Sequence, residues 1–180
     1  MTYKITSHDL KLALMHYYRF QYGYICAEEC ANADILVDTG KEIIEVEVKI
    51  SKSDLIEGEK AKILKHRLYE MGKSCHYNHP NKFLFCVPEE LTNDAVVWTN
   101  ELNPNYGVIQ FNTKEFIQCV NRNAVGWMYH NCYLTVRKSA KKLHEQYNDK
   151  TRWLISKRAV SQNVNLMTEK FFHHLRLGEI

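Results

Sequence analysis

Residues 42–50 read E-I-I-E-V-E-V-K-I, and thirteen residues before Glu47 stands Asp34 in the run A-D-I-L-V. Both segments have the Ile/Val content of β-strands, and the second alternates with period two. Alternation sends Ile44, Val46, Val48 and Ile50 to one face of the strand, and Glu45, Glu47 and Lys49 to the other. The plain reading is an apolar face on a core and a polar face in water. The chemical reading is a divalent-metal site with a cation beside it: Asp34 on a neighbouring strand and Glu47 as ligands, the Val48 carbonyl as a third, and Lys49 two residues along the same face. Mg²⁺ takes oxygen ligands and keeps several waters, so one or two carboxylates suffice. Phosphodiester hydrolysis needs a polarised phosphoryl oxygen, an activated water and relief of charge on the leaving oxygen. Lys49, a compact point charge, could orient or help deprotonate the water, or neutralise charge on the phosphate.

Asp34 followed by Glu47-Val48-Lys49 resembles the D…(D/E)-x-K signature of the PD-(D/E)XK nuclease superfamily, with Ala33 where a proline often precedes the aspartate. The surrounding text is similar to the MmcB-like DNA-repair branch. A33-D34-I35-L36-V37-D38 is followed by E47-V48-K49-I50-S51-K52-S53-D54-L55, then K82-F83-L84-F85-C86-V87-P88, then G107-V108-I109. The resemblance covers roughly residues 5–112, and nothing past Val120 adds to it. It implies an α/β fold with a restriction-endonuclease-like αβββαβ core, a mixed sheet flanked by helices, and a helical C-terminal extension. It further implies Mg²⁺ or Mn²⁺ as cofactor, with Asp34, Glu47 and Lys49 as catalytic residues. Single- or double-stranded DNA is the implied partner, in repair, recombination or phage-style processing, with a homodimer also open.

The elements that must position these residues follow from local signals. Leu10, Ala13, Leu14 and Tyr17 recur at helical spacing, with Thr6 or Ser7 as N-cap. Gly23 ends that helix and a strand starts at Tyr24–Ala27. Asp38-Thr39-Gly40-Lys41 is a turn between the Asp34 and Glu47 strands. Ser53 is placed to cap a helix running to about Met71-Gly72, with Asp54 and Glu57 in its first turn. Lys82–Val87 is a fourth strand, stopped by Pro88. Gly107–Phe111 and Phe116–Cys119 read as short strands. From Leu134 the pattern turns helical: Val136, Ala140, Leu143 and Tyr147, then Trp153, Val160, Val164, Met167, Phe171 and Leu175, read as core stripes.

With 180 residues, 45% hydrophobic and 25% charged, the chain reads as one domain, a core over about 5–112 and an extension over about 113–180. It has no run of eighteen apolar residues and no apolar signal core in M-T-Y-K-I-T-S-H-D, so the expectation is a cytoplasmic protein that does not enter a membrane. Six cysteines without a C-x-x-C spacing speak for free thiols, and Cys75-His76 with His79 is the one zinc-like grouping, lacking a second half. Residues 137–158 hold eight cationic side chains against two anionic ones, Lys141 and Lys142 among them, in a chain of formal net charge +3. Lys52, Lys60, Lys62, Lys65 and Arg67 form a second basic group on the helix leaving the Glu47 strand. Either group suits a phosphate backbone, and either suits a solvated helix face. Glu28 or Glu29, near the end of the first strand, is a further metal-ligand candidate, as is Glu45, while Asp9 and Asp54 sit where helix starts favour acids. His66 reads as an exposed or loop residue. Two other readings stay open: a non-catalytic nucleic-acid-binding module on the same fold, and a soluble α/β interaction protein with a chance motif.

Overall fold

A computed structural model describes residues 4–71, 79–121 and 133–177. Helix α1 (Ser7–His16) opens with a capping box, in which the Asp9 amide donates to the Thr6 hydroxyl and the Thr6 amide donates to the Asp9 carboxylate at 2.8 Å. A π turn (Tyr17–Gln21) extends it, and Gly23 at φ +72° turns the chain into the sheet. Strands β1 (Ile25–Cys30) and β2 (Ala33–Asp38) form a hairpin whose two loop residues, Ala31 and Asn32, both have positive φ. That geometry matches the twist of a tight hairpin. Gly40, at φ +82° and donating to Asp38 Oδ1, turns β2 into β3 (Ile43–Val48).

A second π turn (Asp54–Gly58) leads into α2 (Ile63–Glu70) and then β4 (Lys82–Pro88). A short 3-10 turn precedes α3 (Thr92–Leu102), followed by β5 (Gly107–Phe111), α4 (Thr113–Asn121), β6 (Leu134–Lys138) and α5 (Asp149–Leu177). The result is an α/β fold with one six-stranded mixed sheet in the order β1-β2-β3-β4-β5-β6. β3, β4 and β5 run parallel, and the β1–β2, β2–β3 and β5–β6 pairs are antiparallel.

One face of the sheet packs Ile35, Val37, Val46, Val48 and Ile109 against Leu10, Ala13 and Leu14 of α1 and Phe116 of α4. On the other face, Phe83, Phe85 and Val108 meet Leu55, Tyr69, Ala95 and Tyr106, while Ala27 and Leu36 meet Ile155 of α5. Among the described residues, no helix is long and apolar enough to cross a membrane.

Several elements differ from the sequence expectation. Phe116–Cys119 is not a strand but part of α4, where Asn112 Oδ1 accepts the Glu115 amide at 3.0 Å and starts the helix. Four apolar residues are too few to separate the two periods. Helix does not begin at Leu134: residues 134–138 are the edge strand β6, with Val136 exposed. The segment after it is irregular, held where Asn81 accepts the Leu143 amide and donates to the His144 and Gln146 carbonyls. The Val136–Tyr147 spacing was therefore coincidence.

Ser53 makes no cap bond; Ser51 Oγ accepts the Asp54 amide instead, one residue pair earlier. α3 has no counterpart in the sequence reading, because only Thr92, Ala95 and Thr99 of it are fully buried. Trp153, Val160, Val164 and Met167 lie on α5 as their spacing requires, yet all four are exposed rather than core. Periodicity fixes a face of the helix and leaves open what covers it. The side chains of Phe171 and Leu175 lie outside the described residues, as do Cys75, His76, Cys132 and the expected helix end at Gly72. Cys26, Cys30 and Cys86 are free and buried.

Candidate active site at the end of the β2–β3 pair

β2 and β3 are neighbours, and their last registered pair at this end is Ile35↔Val46. Asp34 and Glu47 are the next residues outward on the two strands. Asp34 reaches across: its Oδ2 accepts the Val48 amide at 2.8 Å, while Oδ1 pairs with Lys11 Nζ at 3.0 Å. In an extended strand a residue's N–H and C=O point to the same edge, so the Val48 carbonyl also looks toward β2.

Glu47 and Lys49 share the opposite face from Val46 and Val48, and both are buried. Lys49 Nζ lies 4.0 Å from Glu47 Oε2, 3.4 Å from Asp54 Oδ1 and 2.7 Å from Glu59 Oε1. The Glu47 carboxylate takes Lys62 at 3.0 Å and Lys65 at 2.5 Å, and Lys65 also bridges to Glu45 at 2.5 Å. Tyr69 donates its hydroxyl to Glu45 Oε2 at 2.7 Å.

These contacts set opposite protonation tendencies on two adjacent acids. Burial would push the Glu47 carboxyl up, but the charges and hydrogen bonds of Lys65, with Lys62, bring it below the usual carboxylate range. For Glu45 burial prevails over Lys65, and its carboxyl is raised. Burial would likewise lower the Lys11 ammonium, yet bonds to Glu29 and Asp34 carry it above its ordinary value.

Asp34 is thus tied to the Val48 backbone, and Lys49 lies beside Glu47, at one end of the β2–β3 pair. Of the two acids on β1, Glu29 is joined to Asp34 through Lys11, at φ +48° on the strand's last turn. The Glu28 side chain instead lines a groove between α1 and α5, and its carbonyl accepts from Arg158 and Gln162. Lys62 and Lys65 both pair with Glu47, Lys62 from a partly exposed position. Lys52 and Lys60 are exposed and pair with Asp94 and Glu57, Lys142 pairs with Glu145, and Arg67 and Lys141 face solvent. Asp9 is spent on the α1 cap.

His66 is the clear correction. It is buried on α2, its Nε2 2.9 Å from Glu59 and its Nδ1 2.9 Å from the Tyr106 hydroxyl. Glu59, His66, Tyr106 and Lys11 were absent from the sequence reading of the site. A signal for two of them was present: Glu59, Lys62, His66 and Tyr69 recur at spacings of three, four and three. That spacing reads as one helix face, of which His66 and Tyr69 lie on α2 and Glu59 and Lys62 in the segment that leads into it.

Among the described residues, no three His, Cys, Asp or Glu side chains converge as a ready metal cage. The donor set still suits a hard divalent ion. Two carboxylates stand at adjacent strand ends beside a main-chain carbonyl, and Mg²⁺ needs no more from protein. Each carboxylate is paired with lysine, Asp34 with Lys11 and Glu47 with Lys62 and Lys65.

No family model matches the sequence, and no curated protein matches it. Among solved structures, the chain is similar to the SPO1766 protein of unknown function from Silicibacter pomeroyi, with a TM-score of 0.56 and 13% identity over 93% of this chain and 94% of that one. At that identity the likeness speaks for the α/β fold alone.

Proposed function

We propose that the protein is a Mg²⁺- or Mn²⁺-dependent nuclease that hydrolyses phosphodiester bonds of DNA. The observation that carries this reading is Asp34 hydrogen-bonded across to the Val48 amide of the neighbouring strand, with Glu47 and Lys49 buried on one face of that strand. The PD-(D/E)XK resemblance calls for the aspartate strand beside the E-x-K strand, and β2 and β3 are neighbours. Asp34, Glu47 and the Val48 carbonyl would hold the metal, which supplies Lewis acidity toward the phosphoryl oxygen and an activated water. Lys49 would present its ammonium to the negative charge carried by the phosphoryl oxygens in the transition state. Lys52, Lys60, Arg67, Lys141 and Lys142 offer cations to the backbone.

The test is cleavage of single- and double-stranded DNA with Mn²⁺ or Mg²⁺, against a chelator control. Asp34→Asn, Glu47→Gln and Lys49→Ala should each lower the cleavage rate by about a thousandfold. Binding of DNA should persist in Asp34→Asn and Glu47→Gln, since both remove negative charge. Unchanged cleavage in all three would move the active site elsewhere.

One observation favours a second reading, a nucleic-acid-binding module without chemistry: every carboxylate of the centre is already balanced by lysine. That reading expects DNA binding with no product under any metal.

A further inference from the structure

Behind Lys49 runs a buried chain of polar groups. Glu59 is fully buried, and its Oε1 forms ion pairs with Lys49 Nζ at 2.7 Å and Lys62 Nζ at 3.1 Å. Its Oε2 faces His66 Nε2 at 2.9 Å. A carboxylate only accepts, so Nε2 is the donor, and Nδ1 is left for the Tyr106 hydroxyl. Tyr106 is fully buried between Phe83 and Phe85, which fixes that end of the chain in the core. The carboxyl of Glu59 would be raised by burial, but His66, Lys49 and Lys62 hold it down at about 2. It stays an anion.

Local backbone puts Glu59 there. The π turn Asp54–Gly58 adds a residue just before it, and such bulges recur at functional sites. Gly58 lies over the same spot: a Cβ on it would come within 2.9 Å of Asp54 Oδ1 and 4.0 Å of Lys49 Nζ.

We infer that Glu59, braced by His66 and Tyr106, is the positioning residue that aims Lys49 at the scissile phosphate. The inference rests on the nuclease reading. A flexible four-carbon ammonium two residues from a metal ligand has many rotamers, and its nearest fixed anion is Glu59, not Glu47. Misplacement by about 1 Å costs about a hundredfold in rate.

The experiment compares wild type with Glu59→Gln, Glu59→Asp, His66→Phe and Tyr106→Phe in single-turnover DNA cleavage with Mn²⁺. A parallel measurement follows acetylation of Lys49 by mass spectrometry without DNA or metal. Glu59→Gln should lower the rate by about a hundredfold at unchanged DNA affinity, and Lys49 should acetylate faster. Glu59→Asp, keeping the charge, should recover part of the rate, and Tyr106→Phe should lose least. A merely structural Glu59 would instead lower the folded fraction and leave the rate per folded molecule intact, which overturns the inference. So does wild-type acetylation of Lys49 in Glu59→Gln. Absence of metal-dependent product in wild type brings down the nuclease reading and this inference together, whereas product in wild type with an unchanged rate per folded molecule in Glu59→Gln brings down this inference alone.

Discussion

The two faces of β3 are equally dry and chemically opposite. Val46 and Val48 are 0% and 4% exposed on one side, Glu45, Glu47 and Lys49 are 2%, 2% and 4% exposed on the other. On the valine side, α1 covers the strand with Leu10, Ala13 and Leu14, and removal of apolar surface from water is all that is required. On the charged side, Lys62, Lys65 and His66 meet three carboxylates that are almost wholly out of water, while the Lys62 and Lys65 side chains stay 39% and 21% exposed. Ion pairs of this kind seldom stabilise a fold better than apolar residues of the same volume would. Buried acids with opposed protonation tendencies are candidates for a functional site.

That contrast can be broken most sharply by removing one partner on each side. Glu59→Ala leaves Lys49 buried without its nearest anion and should cost about 3–5 kcal/mol in urea unfolding. Ile35→Val on the apolar face should cost about 0.5–1.5 kcal/mol. Equal costs would mean that the charged side is wetter than its burial suggests. The two should also part with pH. Glu59 is depressed from 4.5 to about 2, so its contribution is present above 4.5 and is lost as pH falls from 4.5 toward 2. Glu47, also depressed, acts in the same sense, and Glu45, raised by burial, acts in the opposite one. In Ile35→Val the difference from wild type should be flat over that range.

Much of this was legible beforehand, and the residues show why some was not. Asp34, Glu47 and Lys49 were readable because strand alternation and a short turn fix their placement within fifteen residues. The polar side of β3 was the point at which alternation misled, since period two tells which residues share a face and not whether water reaches it. His66 escaped in part because one of its partners is distant in sequence, Tyr106 forty positions away. Lys11 reaches Asp34 from the far side of the hairpin, a contact no local pattern encodes. α5 taught the converse lesson. Its described stripe residues Trp153, Val160, Val164 and Met167 were correct as helix and are exposed rather than core, while Ile155 and Ala159 of the same helix pack on the sheet.

A smaller effect sharpens what the lysines are for. Lys65 is held above its ordinary value because Glu45 and Glu47 outweigh its burial, so it occupies the place of a cation. Replacing it with methionine keeps most of the stem and removes the charge. Lys65→Met should bind Mn²⁺ about tenfold more tightly by calorimetry without DNA, about 1.4 kcal/mol. Unchanged affinity would mean that metal, if bound, does not displace that ammonium.

The smallest expected effect on stability belongs to lysines in neither setting. Lys52 and Lys60 lie in water, paired with Asp94 and Glu57 across exposed surfaces, and exposed pairs of this kind contribute about 0–1 kcal/mol. Lys52→Gln with Lys60→Gln should therefore leave unfolding almost unmoved. If they contact backbone phosphates leading to the site, the same double variant should weaken DNA binding alike at all sequences, because phosphate contacts carry no sequence information. The slope of log affinity against log salt should flatten by about 1.8, from about 0.9 per phosphate released. Lys141→Gln with Lys142→Gln is the control, equally charged and remote in sequence from Lys49. A flattened slope in the control pair alone would run the DNA along the segment before α5 and leave the chemistry at Glu47 to be reached from that side.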